Sequence, residues 1–177
     1  VSQPALDISR RGLLAGAFAA CAAPRALLGE GTGAEFDPQC VFCQIAAGTR
    51  EATIVWSDEK CLAFGSIGPL QPGHLLLVPR RHFANLYELP DEVAAHLLPV
   101  ASRLARALKS TLHADGLNLW QSNEKAAGQS VFHFHLHLIP RFAGQEIFET
   151  VVEVPKATQQ DLEKVLAPVR AALSQGR

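Results

Sequence analysis

Three histidines alternate with apolar residues in the run Phe132-His133-Phe134-His135-Leu136-His137-Leu138-Ile139-Pro140. A period of two is the mark of a β-strand, in which every second side chain shares a face. The spacing predicts a histidine ladder on one face, with Phe132, Phe134, Leu136 and Leu138 turned into a core. Three imidazoles in a row make a poor hydrophobic surface. They suit nucleophilic chemistry, phosphate binding or metal ligation, because a neutral imidazole is available near neutral pH. The segment just upstream carries Asn123, Gly128, Gln129 and Ser130. Gly128 permits a tight turn, and the amides and hydroxyl of its neighbours can donate to anionic oxygens. Neutral donors beside three imidazoles point to a phosphate pocket.

A second constellation is Cys40-Val41-Phe42-Cys43. On its own a Cys-x-x-Cys admits a zinc knuckle, a redox pair or a disulfide. Zinc would need two more ligands at tetrahedral distance. Other single residues read more plainly. His96 and His113 are expected at the surface or at a helix end, and Cys61 as a small buried hydrophobe. Arg80 and Arg81 read as a solvated loop, while Arg141, just after the histidine run, could face an anionic substrate.

Several elements must position these groups. Cys40 to Ala47 reads as a short helix with Gly48 past its end. Thr53 to Trp56 and Cys61 to Phe64 read as strands around a polar turn, and His74 to Val78 as a third strand. Leu89-Pro90-Asp91 opens a long amphipathic helix to about Leu112, with Val93, Leu97, Val100, Leu104 and Leu108 at helical spacing. Pro99 lies inside it, a place for a kink. Leu117 to Gln121 and Val131 to Pro140 are the fourth and fifth strands, and Gln159 to Leu173 a C-terminal helix. The order predicts an α+β fold: a five-stranded antiparallel sheet with the long helix packed on one face, plus short N-terminal and C-terminal helices.

The chain has 177 residues and a net charge of −1, enough for one domain with a sizeable core and without a field for a nucleic-acid polymer. No apolar stretch reaches the ~18 to 20 residues that span a bilayer. Near the start, Arg10 and Arg11 precede an apolar run from Gly12 to Ala23, of the length found in secretory signals. The pattern is that of a twin-arginine export signal over about residues 1–28, with a linker over 29–38. Export to the periplasm is the expectation, with a cytoplasmic location as the alternative. The globular part is expected over 39–145, followed by an extension over 146–177.

The chain resembles the histidine-triad hydrolases and transferases, in particular their small bacterial branch. The resemblance rests on His133-Phe-His135-Leu-His137-Leu-Ile, on the Gly128-Gln129-Ser130 lead-in, and on Pro72-Gly73-His74 followed by Leu75-Leu-Leu-Val-Pro79-Arg-Arg-His82. It covers about residues 38 to 145. It implies the same fold, a homodimer, and a nucleotide-like substrate cleaved at a phosphoanhydride or phosphoramidate bond through a covalent nucleotidyl-histidine. Under it His135 is the nucleophile. His137 stabilises the phosphate charge or protonates the leaving group, and His133 supports His135 with His74 packed behind. Asn123, Gln129 and Ser130 match the phosphate contacts. Ile67 could pack on base or sugar. Ser66 stands where the family often has an acidic residue for the ribose hydroxyls, which motivates a rival: a nucleotide-binding or scaffold protein with little turnover. A further rival is a metal-handling protein that uses the ladder itself. The resemblance also implies one structural Zn2+ held by Cys40, Cys43, His82 and His133, against which a Cys40–Cys43 disulfide remains the rival if the protein is exported.

Overall fold

The computed structural model describes residues 35–144 and 155–175. The expected export signal and most of the linker lie outside the described residues. Among the described residues no helix is long and apolar enough to cross a membrane.

Five strands form one antiparallel sheet: β1 (Ile54–Ser57), β2 (Cys61–Gly65), β3 (Leu75–Pro79), β4 (Gly116–Trp120) and β5 (Leu136–Arg141), in the spatial order β1-β2-β3-β5-β4. Among the described residues three α-helices accompany it: α1 (Val41–Ala46), α2 (Asp91–Leu112) and α3 (Gln159–Gln175). The α+β architecture expected from the sequence is the one observed.

The sheet is covered differently on its two faces. On one, Cys61, Ala63, Leu75, Leu77 and Leu138 pack under α2 and α3. The inward stripe of α2 is Leu97, Val100, Ala101, Leu104, Ala107 and Leu108, at the spacing of a single helical face. Pro99 stays on its exposed side and the helix runs through it unbroken. Asp91 and Glu92 in its first turn oppose the helix dipole favourably. The inward stripe of α3 is Leu162, Leu166, Val169 and Leu173, which ties the C-terminal extension to this core. On the other face Leu62, Phe64, Leu76 and Val78 pack against Phe42, Cys43 and Ile45 of the short α1. That helix is too small to cover the face, and the uncovered part is where the histidines lie.

Register places the site. Phe64 pairs with Leu76, Leu76 with His137, and His137 with Trp120. Directly opposed residues share a face, so these four side chains form one row on the α1 side. The loop from β2 to β3 ends at Gly73, whose φ of +85° is strained for any other residue and where a Cβ would meet the end of the Leu112 side chain and crowd Pro140. Glycine is therefore required there, and it delivers His74 to the start of β3.

Candidate functional site

The fifth strand is shorter than the alternation predicts. It begins at Leu136, and residues 131–135 leave the sheet. The ladder between β3 and β5 ends at the Leu77–Leu136 pair. Beyond it Pro79 has no amide hydrogen to offer, its carbonyl accepts from His133 Nε2 at 3.0 Å, and the Phe134 amide donates instead to the Phe83 carbonyl. The expected ladder is thereby split. His135 and His137 remain neighbours, with ring centroids 4.8 Å apart, while the ring of His133 turns toward the cysteines. Phe134 and Leu138 are in the core as expected; Phe132 is not, being 38% exposed.

Donors and acceptors fix the protons on three of these rings. The Leu70 amide donates to His74 Nδ1 at 3.1 Å, so that nitrogen carries a lone pair and the proton sits on His74 Nε2. His74 Nε2 lies 2.9 Å from His137 Nδ1 and donates to it. His137 therefore carries its own proton on Nε2. His135 Nδ1 lies 2.7 Å from the His133 carbonyl, which can only accept, so Nδ1 is protonated and Nε2 holds the bare lone pair. His74 thus partners His137, rather than standing behind His133 as the resemblance implied.

Burial keeps these rings neutral. Desolvation, then the neighbouring His137 and His135, push His74 down to about 3. Desolvation and His135 push His137 down to about 4. Desolvation also lowers His135, against the opposing pull of the His133 carbonyl. A second proton on His137 would meet the Nε2–H of His74 head-on, so geometry and burial act in the same direction. A neutral nucleophilic nitrogen thus stands beside a neutral N–H donor, and Phe42 packs edge-on against His135 at 5.3 Å between centroids.

Cys40, Cys43, His82 and His133 bring one ligand atom each to within 4.8 Å of one another. Cys40 Sγ is 3.4 Å from His133 Nδ1, and Cys43 Sγ is 3.4 Å from His82 Nδ1 and 3.5 Å from His133 Nδ1. A tetrahedral ion with bonds of about 2.0 Å to nitrogen and about 2.3 Å to sulfur separates such ligands by about 3.5 Å. The donor set and its spacing therefore fit a metal ion. Both thiols are free. Burial raises Cys43 to about 11, so a cation would have to displace its proton. Of the three alternating histidines, only His133 belongs to this cluster.

The expected phosphate contacts are more varied. Gln129 is buried, its Nε2 donates to the carbonyls of Ala84 and Val131, and its Oε1 accepts from the Glu124 amide. Asn123 Oδ1 accepts from Leu86 N and Gln121 Nε2, and its Nδ2 donates to Gln121 Oε1. Both amides thus brace the loop, differing from the free donors expected of them. Glu124, at φ 67°, is held in that unusual conformation by Gln129 and by Asn85 Nδ2. Ser130 is exposed. Ser66 is buried, with its amide on the His74 carbonyl, and Ile67 beside it is 52% exposed.

Sequence reasoning missed Trp120. It pairs with His137 across β4 and β5, its ring centroid lies 6.4 Å from that of His137, and it is 48% exposed. An aromatic at the end of a strand beside a histidine strand was the available signal.

The HIT domain model matches residues 47–144. The Protein hit of Bacillus subtilis (strain 168) is 40% identical over 112 residues, which make up 63% of this chain and 77% of that protein. The adenosine 5'-monophosphoramidase HNT1 of Saccharomyces cerevisiae is 38% identical over 108 residues, 61% of this chain and 66% of its own length. A Zn-bound histidine triad family protein from Mycobacterium smegmatis has a similar structure, with a TM-score of 0.67 at 34% identity, covering 78% of this chain and 98% of that one. With a domain match over more than half its length and these relatives on either side, this chain belongs to the HIT family.

Proposed function

We propose that the chain hydrolyses phosphoramidate or phosphoanhydride bonds of nucleotide-like substrates through a covalent intermediate on His135. The observation that carries this reading is the 2.7 Å contact of His135 Nδ1 with the His133 carbonyl, which leaves Nε2 as a fixed lone pair. That nitrogen attacks the α-phosphorus, forming a P–N bond while the bond to the leaving group breaks. The leaving atom takes the bonding pair, accepts a hydrogen bond from His137 Nε2–H and gains its proton from water. The chain Leu70–His74–His137 ends on a backbone amide, so it orients a donor and does not supply protons. Water then attacks phosphorus, releasing its proton to solvent, and frees His135, whose ring leaves as neutral imidazole. Positioning and charge stabilisation dominate phosphoryl transfer, which suits two rings each held by a hydrogen bond at Nδ1 with Nε2 left to act. The nearby Ile67 and Trp120 offer apolar contact to a base or sugar.

The metal-binding cluster is best read as a structural Zn2+ site with Cys40, Cys43, His82 and His133 as its ligands. A bound ion would clamp α1 to the loop that carries the nucleophile. A relative with a Zn-bound structure supports that assignment. His133 links the two sites: its ring faces the cysteines and its carbonyl holds His135. We also read the chain as a homodimer, because β4 is an open sheet edge carrying the exposed Leu119 and Trp120; a monomeric mass by light scattering would contradict this. Export through Arg10 and Arg11 is tested by replacing both with lysine and fractionating cells; unchanged location rejects it.

His135→Ala tests the nucleophile. Turnover of an adenosine 5'-phosphoramidate should fall by on the order of 10⁴ or more, with melting temperature nearly unchanged. A variant that keeps most of its activity would remove His135 from the mechanism.

A further inference from the structure

The hairpin joining β1 to β2 carries metal-ligand side chains that the catalytic reading does not use. Asp58 lies in the turn, Cys61 begins β2, and His96 projects from the second turn of α2. Their ligand atoms all lie within 4.8 Å of one another. His96 Nε2 is 3.0 Å from Asp58 Oδ2, and Cys61 Sγ is 3.5 Å from the same oxygen. A tetrahedral ion with bonds of about 2.0 Å to nitrogen and oxygen and about 2.3 Å to sulfur sets such edges at about 3.3 and 3.5 Å. Both edges therefore already have close to the required span.

The carboxylate is held ready. Asp58 Oδ1 accepts from the amides of Lys60 and Cys61 at 2.9 and 2.8 Å, and Oδ2 also accepts from Trp56 Nε1 at 3.2 Å. The Arg80 guanidinium donates to the Asp58 carbonyl, to Ser57 and to the Ala46 carbonyl, not to the carboxylate. The side chains of His96 and Asp58 are 34% and 25% exposed, whereas Cys61 is fully buried. An ion could thus enter from solvent and settle on the Cys61 sulfur below. Cys61 belongs to the core under α2, while Cys43 lies under α1, so the two clusters sit on opposite faces of the sheet.

We propose that Asp58, Cys61 and His96 form a second site, for a zinc-class divalent cation, with water in the fourth position. Binding exchanges the Cys61 thiol proton, released to solvent, for a metal–sulfur bond, and His96 ligates through Nε2 with its proton on Nδ1. A thiolate in the set favours zinc or cobalt over magnesium or calcium. The ion would clasp the β1–β2 hairpin to α2, and with three protein ligands it should be lost to a chelator before the four-ligand cluster.

The test is zinc per chain in the full-length protein after equilibration with excess zinc and removal of free metal, read as the difference between wild type and variants. His96→Ala, on a partly exposed helix position, removes one ligand. Asp58→Asn keeps the acceptor for the two turn amides and removes the charge. Each should bind one zinc fewer per chain than wild type while hydrolysing substrate at the wild-type rate. Equal zinc in wild type and His96→Ala overturns the proposal, whatever occupies the four-ligand cluster. Cobalt gives an independent readout: Cys61→Ala should lose part of the thiolate-to-cobalt absorption, and an unchanged spectrum would exclude Cys61 as a ligand. Failure of this site leaves the role of His135 untouched, since the two are measured separately.

Discussion

Acidification distinguishes a buried, neutral histidine chain from ordinary histidines. A histidine with the usual value of about 6.5 would be about 90% protonated at about pH 5.5, and a rate that needs its neutral form would drop to roughly a tenth. His137, held at about 4, would be only about 3% protonated there, and His74, at about 3, less still. His135 is lowered as well. The assay is kcat/KM for an adenylate whose own groups do not titrate between about pH 5 and about pH 8, since this ratio reports the free enzyme. With all three rings lowered, its acid limb should lie clearly below the midpoint near 6.5 of an ordinary histidine. In the complex the anionic phosphate favours charged imidazoles, so the acid limb of kcat should lie at higher pH than that of kcat/KM. Stability follows with a defined sign. Between the unfolded value near 6.5 and the folded values, the unfolded chain binds protons that the folded chain refuses, so stability falls as pH falls. At about pH 5.5 the two rings together cost about 3 kcal/mol, and the assay should be run well below the melting temperature. A kcat/KM midpoint near 6.5 would refute the claim that burial and the His74–His137 contact keep this chain neutral.

Other substitutions probe the same geometry. His74→Phe removes the donor to His137 Nδ1, and kcat should fall by about 10²-fold with KM little changed, as for a lost orienting partner of a catalytic group; an unchanged kcat would show that His137 needs no orientation. Zinc at about 1,000 times its dissociation constant should add about 4 kcal/mol of stability, raising the melting temperature by about 8 to 16 °C over chelated protein. A metal-free preparation with a Cys40–Cys43 disulfide would reject that site. Ser66→Asp should lower KM for ribonucleotides by about tenfold, the gain of a charged over a neutral acceptor, and leave kcat nearly unchanged; strong ribose preference in the native protein would mean that another residue holds the sugar.

Much of this architecture was legible because the signals are local. The apolar stripe of α2 from Val93 to Leu108 identifies its buried face, and Gly73 and His74 mark the entry to β3. Alternation alone misplaced the start of β5, because period two describes side chains and says nothing of a hydrogen-bonding partner. The partner strand ends at Pro79, and only the folded chain brings the Phe83 carbonyl to Phe134. The same limit hid the division of the histidines, since the turn of His133 toward Cys40 and Cys43 depends on contacts about ninety residues apart in sequence. Gln129 and Asn123 have the chemistry of anion donors, yet their amides are engaged by Ala84, Leu86 and Gln121. His96 read as a surface or helix-end residue because α2 folds back over the β1–β2 hairpin only in three dimensions.

The covalent intermediate is tested most directly by mass. Protein mixed with an adenosine 5'-phosphoramidate and quenched within a turnover should gain the mass of one adenylyl group per active site, and digestion should locate it on His135. His135→Ala should gain none under the same conditions. Turnover without any adduct on a rapid-quench time scale, or an adduct on His133 or His137 instead, would contradict nucleophilic attack by His135.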